Sequence, residues 1–154
     1  MFIEMKLTSG DVFRIKTENG YGFMQYIETT HLGVEYVRVL DFMSDSEELS
    51  ISEVYKKERW CIEFCLKIAA RRKIVSKVAN FGIPVNFETA LFARTEHNIK
   101  DEFLGWFIVN RKTLQRELKK NLSDEELKLS PFGVMNDTLI KEYLECDWKL
   151  DDWK

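Results

Sequence analysis

The sequence predicts an α+β domain, mainly antiparallel β, with an N-terminal meander that is strongly bent or closed as an SH3-like barrel. Short helices are expected in the middle and at the C-terminus. Three observations point there. Residues 9–42 spell three successive strand-like runs separated by turn residues. Strand signals come first and helix signals mostly late, an order that suits α+β folds. The 11 Phe, 5 Tyr and 4 Trp supply the bulk that a β-rich core requires.

The first three runs, 12–16, 21–29 and 34–42, are rich in β-branched and aromatic residues. Asn19-Gly20 suits the two positive φ angles of a type I′ hairpin, and His31-Leu32-Gly33 marks the next turn. Asp45-Ser46-Glu47-Glu48 is a polar break, after which Ser50 or Ser52 is placed to cap a short helix through Lys57. Trp60, Ile62, Phe64 and Leu66 alternate with Cys61, Glu63 and Cys65, the period of a half-buried strand. One long helix over 52–77 competes with that reading. Strands are favoured because 74–81 is β-branched and ends at Gly82-Ile83-Pro84, a turn signal. Residues 91–95 and 106–109 read as two short strands, and the polar stretch 96–102 between them as a loop. The stretch 113–118 fits either a helix or the second arm of a hairpin turned at Asn110-Arg111. Ser123 and Glu126 match a capping box, opening a short helix that stops before Pro131. Asn136 or Asp137 caps a last helix or extended segment through Glu145. No internal repeat and no low-complexity stretch interrupts this order.

At 154 residues the chain is one domain's worth, 1–154, able to bury roughly two-thirds of its unfolded surface. No run approaches the ~18 apolar residues of a membrane span. The opening MFIEMKLTSGD carries an acidic residue at position 4 and no extended apolar core, so it does not read as a secretory leader. A cytoplasmic protein without membrane contact is the expectation. Three cysteines, Cys61, Cys65 and Cys146, do not suit a closed disulfide framework. On a strand, Cys61 and Cys65 lie about 13 Å apart, too far to bridge, and both are expected to be buried thiols. A net charge of −3 disfavours bulk affinity for nucleic acid, whose binding depends on neutralising phosphates. The basic runs at 56–57, 71–73 and 119–120 are offset by acidic neighbours.

Few residues nominate a chemistry. Two histidines, His31 and His97, stand apart in a turn and a loop, with no His-x-His, His-x-x-x-His or Cys-x-x-Cys, a thin supply for a hydrolytic zinc site. No Gly-x-Ser-x-Gly is present. Asn19-Gly20-Tyr21-Gly22 lacks the Lys-Ser/Thr and following helix of a phosphate loop. No spacing nominates a carboxylate pair. The sequence thus predicts no catalytic residue, no metal and no cofactor. For binding, Trp148 and Trp153 lie among Asp147, Asp151 and Asp152, as interface anchors do, although tryptophans folded back onto the domain explain them as well. Arg14 and Arg38, on strand faces beside Phe13 and Tyr36, are placed to stack or pair across an interface. Ion pairs with Asp11 or Glu35 are the bland alternative.

Gly10-Asp11-Val12-Phe13-Arg14-Ile15, Gly20-Tyr21-Gly22-Phe23-Met24-Gln25-Tyr26 and Val37-Arg38-Val39-Leu40 resemble the opening of the immunity protein 26 family. Val78-Ala79-Asn80-Phe81-Gly82-Ile83-Pro84 and Asn136-Asp137-Thr138-Leu139-Ile140 are similar to later segments of its relatives. The resemblance implies an intracellular, bacterial, non-enzymatic protein of polymorphic-toxin systems that binds a cognate protein toxin and blocks it. The family label has also been attached to a phosphotriesterase, which the poor supply of metal ligands speaks against. A metal-dependent phosphoester hydrolase and an SH3-like nucleic-acid module are the alternatives. The first predicts a metal gathered by His31 or His97 with carboxylates. The second predicts one basic face despite the negative total.

Overall fold

In the computed structural model, residues 5–46 and 48–154 are described. The leader reading of residues 1–4, and Glu47 in the polar break, lie outside them. Eight strands form two antiparallel sheets. The first contains β1 (Asp11–Thr17), β2 (Gly20–Thr29), β3 (Glu35–Ser44), β4 (Trp60–Phe64) and β5 (Val75–Asn80), in the spatial order β4-β3-β2-β1-β5. The second contains β6 (Phe92–Ile99), β7 (Glu102–Asn110) and β8 (Arg116–Lys119), in that order. Three short helices, α1 (Ile51–Val54), α2 (Leu66–Arg71) and α3 (Asp137–Glu145), and two single turns at Glu126–Lys128 and Leu150–Asp152 complete the elements of the described residues. Among the described residues no helix is long and apolar enough to cross a membrane.

The meander predicted over 12–42 is present. Bulges between Val12 and Phe13, Gly22 and Met24, and Tyr26 and Glu28 interrupt its registers and bend its strands. The sheet stays open, which corrects the SH3-like barrel: β4 pairs with β3 and β5 with β1, so the two edges never meet. Nothing drives closure, because both faces are already covered. One face carries Phe13, Ile15, Met24, Val37, Val39, Trp60 and Ile62 beneath Leu66 and Ala69 of α2 and Ile140 and Leu144 of α3. The other carries Val12, Phe23 and Leu40 beneath Val54 of α1, and Ile27, Tyr36 and Cys61 beneath Ile83 and Phe87. Double coverage explains why residues 35–40 are buried without a break.

The turns differ in detail from the sequence reading. The β1–β2 turn centres on Glu18 and Asn19, with Thr17 paired to Gly20, and the positive φ falls on Gly20 (+124°) but not on Asn19. The hydroxyl of Thr17 accepts from Asn19 N–H at 3.1 Å and donates to the Gly20 carbonyl at 2.8 Å, which favours this turn over type I′. Two consecutive positive φ angles instead occur at Lys100 (+50°) and Asp101 (+65°), where Ile99 pairs with Glu102. The stretch 96–102 is therefore the tip of a hairpin, not a loop. Its polar residues hide the strand because they sit on an exposed part of the sheet. The 113–118 ambiguity resolves as a hairpin arm, β8 paired with β7.

The strand expected over 60–66 ends at Phe64, and Cys65 opens α2 with its carbonyl accepting from Ala69 N–H. Cys65 is consequently exposed, as is Cys146, whereas Cys61 is buried; the expectation of two buried thiols fails at Cys65. Ser123 and Glu126 make the reciprocal capping-box bonds at 3.2 and 2.9 Å. Asn136 caps α3 by accepting from Leu139 N–H at 2.8 Å.

The segment 130–135 joins the two sheets. Cys61 N–H donates to Ser130 Oγ and Met135 N–H to the Glu63 carbonyl, fixing the segment beside β4. On its other side Arg94 N–H donates to the Ser130 carbonyl and Phe132 N–H to the Arg94 carbonyl. Parallel bridges Glu63–Val134 and Arg94–Pro131 record the same contact. An edge that would close a barrel is thereby given to a seam with β6.

Candidate functional site

Where the two sheets meet, a cleft of about 600 Å³ opens. Its floor follows from strand register. Glu28 pairs with Tyr36 across β2 and β3, and Tyr36 pairs with Glu63 across β3 and β4. Directly opposed residues project from the same face, so the two carboxylates flank the tyrosine in one row, about 10 Å apart at the usual cross-strand spacing. Glu28, Glu63 and His31 line the cleft from the first sheet.

The opposite wall comes from the β7–β8 turn and the loop before β6. Arg111 and Lys112 stand there beside Ala90 and Leu91. The Arg111 guanidinium lies 3.8 Å from the Tyr36 ring centroid and donates to the Ala90 carbonyl at 2.7 Å. Arg111 N–H donates to the Leu91 carbonyl at 2.8 Å. The turn is thus bolted to the loop by main chain and side chain together, and the cation is held over the acidic row without an ion pair to it. Tyr36 is buried, and burial, with Cys61 and Glu58 nearby, pushes its phenol up; Arg111 pulls it the other way. Burial and the Glu58 charge likewise push the Cys61 thiol up to about 12. Both remain neutral donors beneath the charged rim.

The sequence-nominated residues lie elsewhere. Arg38 is 1% exposed and donates to Gln25 Oε1, the Val54 and Lys56 carbonyls, and Glu58 at 2.7–3.1 Å. Its fork holds α1 and the loop after it on the sheet, so it is an internal strut and presents no group to an interface. Arg14 is half-buried, with its guanidinium 5.5 Å from the Tyr21 ring. Trp148 stacks on Tyr143 at 4.3 Å and meets Trp60 edge-on at 5.4 Å. Trp153 donates from Nε1 to Glu96 at 2.8 Å and packs on Trp106. The tryptophans fold back onto the domain, while Asp151 and Asp152 stay exposed.

Between Trp106 of β7 and Trp153 of the C-terminal segment sits Arg94, fully buried. Its guanidinium lies 4.8 Å from Trp106 and 4.1 Å from Trp153. It donates to the carbonyls of Leu127, Leu129, Leu150 and Trp153. This residue and the cleft row both escaped the sequence reading. Glu28, Tyr36 and Glu63 are 35 positions apart from first to last and converge only through the register of three strands.

Among the described residues, no three His, Cys, Asp or Glu side chains converge closely enough to hold a metal ion. Compared with family models, curated proteins and solved structures, the chain matches none.

Proposed function

We propose that the chain is a cytoplasmic, non-catalytic binding protein of the immunity type, which neutralises a cognate bacterial toxin by occluding it. The observation that carries this reading is the mixed-charge cleft: an acidic row of Glu28 and Glu63 on a sheet covered on both faces, opposite the Arg111–Lys112 wall. Opposed charges on a fixed frame give a protein partner register and specificity, and a preorganised surface loses little entropy on binding. The resemblance of the strand motifs to immunity proteins supplies the class of partner. The cleft supplies the face.

The test is co-purification with the product of the neighbouring gene, followed by charge reversal at the cleft. Glu63→Lys and Glu28→Lys are expected to weaken the complex by about tenfold or more each while leaving the melting temperature unchanged. They should also abolish protection of cells expressing that toxin. A complex that forms equally well with both reversals removes the cleft from the interface, and absence of any complex or protection rejects the immunity reading.

A further inference from the structure

On the other side of the first sheet from the cleft, a groove of about 350 Å³ runs between α2 and residues 134–137. Glu63 lines the cleft and Phe64 the groove, and neighbours on a strand project from opposite faces. Phe64, Ala69 and Met135 form a buried floor, whereas Ile68 and Val134 stand beside it 51% and 53% exposed. Apolar walls above an apolar floor make a receptacle for another molecule's side chains. Its volume is more than twice the roughly 150 Å³ that takes one benzene-sized group.

Cations flank this groove. Arg72 is in its wall, with Arg71 and Lys73 on either side in the chain; all three are exposed, and among the described residues none makes an ion pair. Cations at a helix C-terminus commonly serve its free carbonyls. Here backbone N–H groups serve them already: Arg72 donates to Ile68, Lys73 to Ala70 and Ile74 to Ala69, at 2.9–3.0 Å. Lys73 also stands at φ +60°, the left-handed position that closes a helix and that glycine usually fills. Positive charge is thus kept where neither the cap nor the backbone asks for it, in a chain whose net charge is −3. Asp137, the carboxylate in the wall, is paired with Lys141 at 3.6 Å. We propose that the groove docks an acidic segment of a partner protein, with apolar side chains set into the groove and carboxylates against Arg71, Arg72 and Lys73. The apolar anchors supply affinity, and the flanking charges select the partner. The recessed floor favours inserted side chains over a lipid surface, which would meet Ile68 and Val134 first and leave the floor empty. The site does not depend on the toxin-binding cleft, and either can fail without the other.

The experiment follows the fluorescence anisotropy of labelled, end-capped peptides titrated with the full chain at low salt. Glu-Leu-Glu-Leu-Glu is the probe, and Lys-Leu-Lys-Leu-Lys and Glu-Ala-Glu-Ala-Glu are its comparisons. The expected result is saturable binding of the probe, roughly tenfold tighter than either comparison. Arg72→Glu is expected to weaken the probe roughly tenfold and to strengthen the lysine peptide. Ile68→Ser is expected to weaken the probe roughly fivefold. Both side chains are exposed, so the melting temperature should not move in either variant. The exposed Cys65 lies in the groove wall and the exposed Cys146 does not, so the bound probe should slow alkylation of Cys65 alone. No saturable binding, equal affinity for the three peptides, no effect of Arg72→Glu, or equal protection of both thiols overturns the proposal. Retention on phosphatidylserine vesicles without binding of the probe overturns it in favour of a lipid surface.

Discussion

At the scale of single residues, the buried Arg38 does different work from the one its sequence position suggests. Arg38 sits with Glu58, both under a tenth exposed, at the head of a network that ends on Gln25 and the carbonyls of Gly10 and Phe81. Removing one partner of a buried pair strands the other. Arg38→Met is therefore expected to cost about 3–5 kcal/mol in urea unfolding, and the Arg38→Met/Glu58→Gln pair less than the sum of the two single changes. Cys61 offers a sharper chemical readout. Burial holds its thiol protonated up to about 12, whereas Cys65 and Cys146 are exposed. Two thiols per native chain should react rapidly with a thiol reagent near pH 8, and the third only after unfolding. Three fast thiols would contradict the buried setting. Between the ordinary thiol value of 9.0 and about 12 the folded chain keeps a proton that the unfolded chain has released. Stability therefore falls as pH rises through that window, and Cys61→Ala should flatten the decline. Strand alternation set Cys61 opposite the apolar Trp60, Ile62 and Phe64. It is buried all the same because that face too is covered, by Ile83 and Phe87. Alternation could not say that Cys65 had already left the strand.

At the scale of elements, what could be read from the sequence depended on which faces are covered. The runs in 12–42 are visible because residues buried on both faces are apolar almost continuously. The β6–β7 hairpin is half hidden because its tip is solvated and its Glu96, His97 and Asn98 are polar. α2 is missed because its six residues continue the apolar pattern of β4 without a break. The hairpin tip also carries a testable imperfection. Lys100 and Asp101 occupy left-handed backbone that disfavours most side chains. Replacing them by Asn-Gly, the pair that suits consecutive positive φ angles, should stabilise the domain by about 1 kcal/mol, read as a rise in the denaturation midpoint. A fall would mean that the two side chains make contacts the turn relies on.

At the scale of the whole molecule, the fold class was legible and the closure was not. The number and order of strands follow from local patterning, but whether an edge pairs with its own sheet or with a distant segment depends on contacts of long sequence separation. Here the β4 edge takes residues 130–135, some 70 positions later, and the seam makes the two sheets neighbours in one hydrogen-bonded series. With Arg94 tied to the carbonyls of Leu127, Leu129, Trp153 and Leu150, the last of which packs against the first sheet's core, the sheets should open together. Native-state hydrogen exchange is expected to give the same opening free energy for the central amides of β2 and β7. A distinctly lower value for β7 would mean that the second sheet unfolds alone.

Arg94 also imposes an order on biosynthesis. Its acceptors at Leu127 and Trp153 lie 33 and 59 positions downstream. At the pace of translation the last of them leaves the ribosome roughly 3–12 s after the arginine itself. Until then the guanidinium lacks the acceptors at Leu150 and Trp153, so its site is not complete before residues 150–153 have emerged.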